Sequence, residues 1–122
     1  GEYKCEGEYK EGFPHGQATV RFPNGDVYQG ELGPKGVGKG TYTEYNGQVV
    51  MGYYETIWYD GNCPYIASHV GQGVQWSSDR TQAWSVDGED LAYDYKSKTA
   101  ISLQAAADFA ASLNLTVPEI LL

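Results

Sequence analysis

Cys5-Glu6-Gly7-Glu8-Tyr9-Lys10-Glu11-Gly12-Phe13-Pro14-His15-Gly16 opens a pattern that returns further along the chain. Asn24-Gly25-Asp26-Val27 closes the first pass, and Tyr28-Gln29-Gly30-Glu31-Leu32 begins the second. That pass runs through Gly38-Lys39-Gly40 to Asn46-Gly47-Gln48-Val49, and Val50-Met51-Gly52-Tyr53-Tyr54 opens a third. Gly7 and Gly30 are 23 positions apart, and Gly30 and Gly52 are 22 apart. A fixed period of this length marks a repeat array, in which neighbouring units bury each other's apolar faces. Such an array offers a surface rather than a reaction centre.

Within each period, alternating segments flank a turn. Tyr3, Cys5, Gly7 and Tyr9 share one face and Glu2, Lys4, Glu6, Glu8 and Lys10 the other, the period-2 pattern of a half-buried strand. Ala18, Val20 and Phe22 alternate with Gln17, Thr19 and Arg21, and Pro23-Asn24-Gly25-Asp26 then turns the chain. An Asn-Gly pair between alternating segments signals a hairpin, and Asn46-Gly47 repeats that signal. Gly7, Gly30 and Gly52 fall inside strands, two residues before Tyr9, Leu32 and Tyr54. A glycine there leaves room for the ring of a neighbouring repeat. The expected fold is mainly β, a series of consecutive antiparallel hairpins.

All 16 glycines lie between positions 1 and 88, and the pattern then changes. Ser102 is placed to cap a helix carrying Leu103, Ala106, Ala107, Ala110 and Leu113 at helical spacing, with Phe109 beside them. A capping helix is expected from Leu103 to about Leu113, covering the end of the array. Pro118 blocks its extension, and Ile120-Leu121-Leu122 ends the chain.

Charge narrows the partners. Net charge is −8, with acids in excess on both sides of Glu55 and no run of basic residues. Nucleic acid and anionic lipid are bound through clustered Lys and Arg, so neither is expected as a direct ligand. No apolar stretch is long enough to cross a bilayer, and no signal peptide is visible. The chain begins at Gly1 without a methionine, so removed targeting information stays open; an intracellular setting is favoured. Cys5 and Cys63 form no metal motif, and one disulfide or two free thiols would each satisfy the count. The preferred reading of Cys5 is a small buried apolar side chain.

The run from Cys5 to Gly16, with its Asn-Gly turn and its second pass at Tyr28, Gly30, Gly38 and Gly40, resembles the MORN repeat family. The match is close apart from Cys5 and from Ala18, which stands where a glycine is common. The second pass is one residue shorter and has Val37 where the first has His15. Copies are expected near 3–27, 28–49 and 50–88, the third broken by an insert at 55–70, so that 1–100 forms the repeat region and 101–122 the cap and tail. Gly71-Gln72-Gly73 through Asp87-Gly88-Glu89 is similar to segments that close short algal arrays of this family. The resemblance implies scaffolding and membrane-proximal work, and lipid binding is commonly proposed for such repeats. With the algal likeness, it points to an accessory subunit of a larger membrane-associated assembly, such as a plastid membrane complex.

No catalytic constellation is assembled. His15 and His69 are 54 positions apart, no serine stands in a nucleophile elbow, and neither cysteine has a distinctive partner. Asp87-Gly88-Glu89-Asp90 lacks the wider spacing of a calcium loop. The expectation is a non-enzyme with no catalytic residues, no cofactor and no metal. Trp58, Tyr59 and Tyr65 in the insert are candidates for contacting a partner protein, as are Ile120, Leu121 and Leu122. A carbohydrate-binding β-module using Trp58, Tyr59 and Tyr65 is the alternative. Trp76 and Trp84 are placed in the core of the closing hairpin.

Overall fold

The alternation becomes an up-and-down meander. In the computed structural model, which describes residues 4–10, 13–32, 37–57, 66–90 and 95–117, the strands are β1 (Lys4–Lys10), β2 (Phe13–Arg21), β3 (Val27–Leu32), β4 (Val37–Thr43), β5 (Val49–Ile57), β6 (Ile66–Trp76), β7 (Ala83–Asp90) and β8 (Tyr95–Ile101), followed by helix α1 (Leu103–Ser112). Each strand pairs antiparallel with the next, giving one open sheet in the order β1 to β8.

The turns follow from sequence. The Phe22 N–H donates to Asp26 O at 2.9 Å and the Gly25 N–H to Phe22 O at 3.0 Å. Gly25 closes this loop at φ 96°, the left-handed position that ends a tight hairpin turn. The next hairpin copies it: the Glu44 N–H donates to Gln48 O and the Gly47 N–H to Glu44 O, both at 2.8 Å. In the third, Arg80 takes the glycine's place at φ 63°. Its guanidinium Nη1 donates to the carbonyls of Gly47, Ser77 and Ser78 at 2.7, 2.8 and 3.0 Å, which offsets the strain of a left-handed non-glycine residue.

A row of small residues crosses the sheet: Gly7 opposite Ala18, then Gly30, Gly40, Gly52 and Gly73 in successive pairings. Beside it runs a row of larger residues, Cys5, Val20, Tyr28, Tyr42, Val50 and Gln75. The exchange of glycine for ring, expected at Gly7, Gly30 and Gly52, is found at Gly52 under the His69 ring and at Gly40, where an added Cβ would sit 2.4 Å from the Tyr28 hydroxyl oxygen. Gly30 serves a different need. At φ 156°, it would bring a Cβ within 2.5 Å of the Gly40 backbone, so close approach of main chains excludes a side chain.

The sheet carries a core on each face. On the aromatic face Ala18, Val20, Phe22, Tyr28 and Tyr54 are buried together, with Cys5 and Tyr42 packed against them. On the opposite face, Val49, Met51, Val74, Trp76 and Ala83 meet Ala106, Ala110 and Leu115. Helix α1 therefore lies over β6 and β7 rather than along an edge strand. Ser102 caps it, its hydroxyl accepting from the Ala105 N–H at 3.0 Å. Asn114 at φ 62° ends it, with the Leu115 N–H on Ala110 O and the Asn114 N–H on Ala111 O, both at 3.0 Å. These crossed bonds form a Schellman cap, which turns Leu115 back into the core.

Three readings change. β8 went unread in the sequence. Leu103, assigned to the helix's apolar stripe, is exposed, and the stripe that packs is Ala106 and Ala110. Cys5 is not a simple buried thiol: it is disulfide-bonded. It lies half-buried on the edge strand β1, where its sulfur is within reach of a covalent partner. Cys63, the other cysteine in the chain, lies outside the described residues.

Candidate functional site

The aromatic face is a continuous stack. Tyr54 meets Tyr28 edge-on, ring centroids 5.1 Å apart, and lies nearly parallel to Tyr42 at 6.0 Å. Phe22 extends the stack from Tyr42 at 5.8 Å. His69 extends it the other way, edge-on to Tyr54 at 5.4 Å. The imidazole lies over two glycines: a Cβ on Gly52 or Gly73 would stand 2.4 or 2.5 Å from its Nε2. His69 thus fills, in the third hairpin, the space over glycine that the Tyr28 ring fills in the second.

Each buried hydroxyl of this stack has a partner. Tyr28 donates to Glu31 O at 2.9 Å and Tyr54 to Val50 O at 2.7 Å. Burial, with the Glu31 charge second, raises the Tyr28 pKa, and burial, followed by the neighbouring Tyr28, Tyr42 and Glu44, raises that of Tyr54. Because the folded values are raised, their stabilising contribution is complete below the ordinary tyrosine value of 10.0. It is lost as pH rises beyond 10.0 toward the folded-state values, where the unfolded chain releases protons that the folded one retains. In an alkaline titration followed by tyrosinate absorbance and circular dichroism, Tyr28 and Tyr54 are expected to ionise only as the sheet unfolds. Full ionisation of all 11 tyrosines with the sheet intact would refute their burial.

The hairpin ends on one side of the sheet abut one another, and Asp26 joins the first two. Its Oδ1 accepts the Tyr45 backbone N–H at 2.8 Å; its Oδ2 accepts the Tyr42 hydroxyl at 2.5 Å and the Asn24 amide at 3.1 Å. Only 8% exposed, this carboxylate is spent on structure. The second turn meets the third where Gly47 faces Ser78, with Arg80 bonded across to the Gly47 carbonyl. Tyr45 stands on this edge with 76% of its surface exposed, although its backbone is fixed by Asp26. Asp79 lies on the third turn. Hydrogen bonds from the hydroxyls of Ser77 and Thr81, both at 2.7 Å, hold its pKa down to about 2.

On the helix face, a pocket of about 220 Å³ lies beside the helix C-terminus, lined by Gln17, Gln29, Lys39, Thr41, Asn114 and Thr116 over Met51. Among the described residues, its lining includes no carboxylate, imidazole or thiol. Its volume is below the roughly 300–1,000 Å³ usual for ligand pockets. Among the described residues, no three His, Cys, Asp or Glu side chains gather to hold a metal ion.

Residues 5–27, spanning β1, β2 and the Asn24-Gly25 turn, match the family model of the MORN repeat. This segment is a MORN repeat. No curated protein and no solved structure gives a match. MORN repeats are generally associated with protein or membrane interaction and are generally non-catalytic.

Trp58, Tyr59, Tyr65, Ile120, Leu121 and Leu122 lie outside the described residues, while Glu55, Thr56 and Ile57 belong to β5 and residues 66–70 to β6. Trp76 is 1% exposed in the helix-face core. Trp84 is half-buried, with the Lys98 ammonium 5.5 Å above its ring. Sequence reasoning missed Tyr45 and His69. Tyr45 was detectable as an aromatic directly before an Asn-Gly turn, and His69 as the ring facing Tyr54 across β5 and β6.

Proposed function

We propose that this domain is a non-catalytic protein-interaction scaffold, an accessory subunit within a larger membrane-associated assembly, and that its turn edge makes the contact. One observation carries the proposal: Tyr45 is 76% exposed on a backbone already tied to Asp26. Exposed tyrosines are favoured interface anchors, and a prefixed backbone lowers the entropy lost on binding. The membrane setting rests on the family's general association, and a plastid complex rests on the likeness of the closing segment to algal relatives. Trp58, Tyr59 and Tyr65 and the terminal Ile120-Leu121-Leu122 remain in the proposal as further contacts, on sequence grounds.

Native pull-down with mass spectrometry, using the full chain and a Tyr45→Ala variant, tests it. A protein recovered in fixed ratio with the parent chain is expected to bind the variant about 30-fold more weakly, as for an interface anchor worth about 2 kcal/mol. Thermal unfolding of the variant should stay close to the parent's, since the side chain is exposed. Undiminished recovery by Tyr45→Ala removes the turn edge from the proposal.

A further inference from the structure

Of the asparagines at 24, 46, 62 and 114, Asn114 alone opens an Asn-x-Thr triplet, Asn114-Leu115-Thr116. With any residue but proline between, this triplet is the acceptor signal for N-linked glycosylation, a modification of surface segments in secreted proteins. Its setting in the fold suits an acceptor. Asn114 is the left-handed residue that ends α1, at φ 62°, and it is exposed, as is Thr116. Its main chain is already bonded: the N–H donates to Ala111 O at 3.0 Å, and the carbonyl accepts from Lys39 Nζ at 3.3 Å. The carboxamide has no hydrogen-bond partner among the described residues, so substituting its nitrogen breaks no bond of the fold. Beside it the pocket of about 220 Å³, lined by Gln29, Lys39 and Thr41, leaves room for the first sugar.

A second observation is independent of the triplet. Cys5 is disulfide-bonded, and no free cysteine is found among the described residues. Disulfides persist in the lumenal and extracellular compartments that secreted proteins pass through, and are rare in the cytosol.

We propose that Asn114 is an N-glycosylation site, and that the chain enters an oxidising lumen where it receives its glycan. The donor class is an oligosaccharide carried on a lipid pyrophosphate. The Asn114 carboxamide nitrogen attacks the anomeric carbon, the bond from that carbon to the pyrophosphate oxygen breaks, and the nitrogen gives up one proton as the C–N bond forms. Leu115 is 7% exposed in the helix-face core, so transfer precedes the packing of this turn. The folded chain then holds the glycan outward from the helix end. The turn-edge contact at Tyr45 does not depend on this inference. A plastid setting and a lumenal one are alternatives, and the following test separates them.

The protein recovered from its own cells is treated with peptide N-glycosidase in heavy-oxygen water, which leaves a labelled aspartate wherever a glycan was attached. The intact mass is expected to fall by that of an oligosaccharide, with the label at residue 114 and at none of residues 24, 46 and 62. Recovery of Asn114 as unmodified asparagine throughout would overturn the proposal. The full chain, secreted behind a cleavable leader, gives the second arm. Thr116→Ala and Asn114→Gly should each lose the glycan, and Thr116→Ser should keep it. Glycine retains the left-handed turn, so its loss of the glycan is not a failure to fold. A glycan that survives Thr116→Ala, or a chain secreted with Cys5 oxidised and Asn114 bare, would equally refute the assignment.

Discussion

Tyr54→Ala is expected to reduce the free energy of unfolding by about 3–5 kcal/mol, the cost of truncating a buried aromatic side chain. Tyr54 is 2% exposed and contacts Tyr28, Tyr42 and His69 at once, so its removal opens a cavity in the middle of the stack. The neighbours cannot close that space by sliding inward. Tyr28 is already seated over Gly40, and His69 over Gly52 and Gly73. Single domains of this kind are stable by about 5–15 kcal/mol, so one substitution would remove a large fraction of the total. Tyr54→Phe separates packing from hydrogen bonding: it keeps the ring and loses only the bond to Val50 O, worth about 1 kcal/mol. Urea unfolding of the three chains is the measurement. A Tyr54→Ala midpoint equal to that of Tyr54→Phe would mean the aromatic face is not a stability core.

That stack also shows which parts of the molecule could be read in advance. The hairpins were legible because the information is local: Asn24-Gly25 and Asn46-Gly47 dictate turns through the conformation of one glycine each, and alternation dictates the strand between them. The helix was legible for the same reason, from Ser102 and the spacing of Ala106 and Ala110. The face it covers was not, because packing over β6 and β7 is decided by Trp76, Val74 and Met51, whose inward direction depends on register. β8 was missed because Lys98, Thr99 and Ala100 are exposed and only the last residue, Ile101, among its described side chains packs against the core, so little apolar alternation marks that stretch. In the candidate site, Tyr45 is a residue whose exposure breaks no periodic rule. Its significance comes from Asp26, 19 positions earlier, which fixes its backbone. His69 was read as an isolated histidine because its glycine partners, Gly52 and Gly73, flank it only after β5 and β6 pair.

Cys5 is the case where sequence distance hid the largest single constraint. The chain has one other cysteine, Cys63, 58 positions away, so a bond within the chain closes a long loop. In the chain-entropy account, a cross-link over a loop of this length stabilises the folded state by about 4 kcal/mol, because it restricts the unfolded chain. The effect should be concentrated on the first repeat. Among the described residues, β1 is an edge strand paired only with β2, and Lys4, Glu6 and Gly7 on it are exposed. Reduction with a dithiol is therefore expected to lower the unfolding free energy by about 4 kcal/mol, with Cys5→Ser and Cys63→Ser each reproducing the loss in the absence of reductant. Amide hydrogen exchange should accelerate first in β1, while α1 and β7 stay protected by the separate core around Trp76. If Cys5→Ser destabilises the chain and Cys63→Ser does not, the bond is not within the chain. If neither does, and reduction leaves β1 protected, pairing with β2 and the packing of Val20 and Tyr28 suffice to hold the edge.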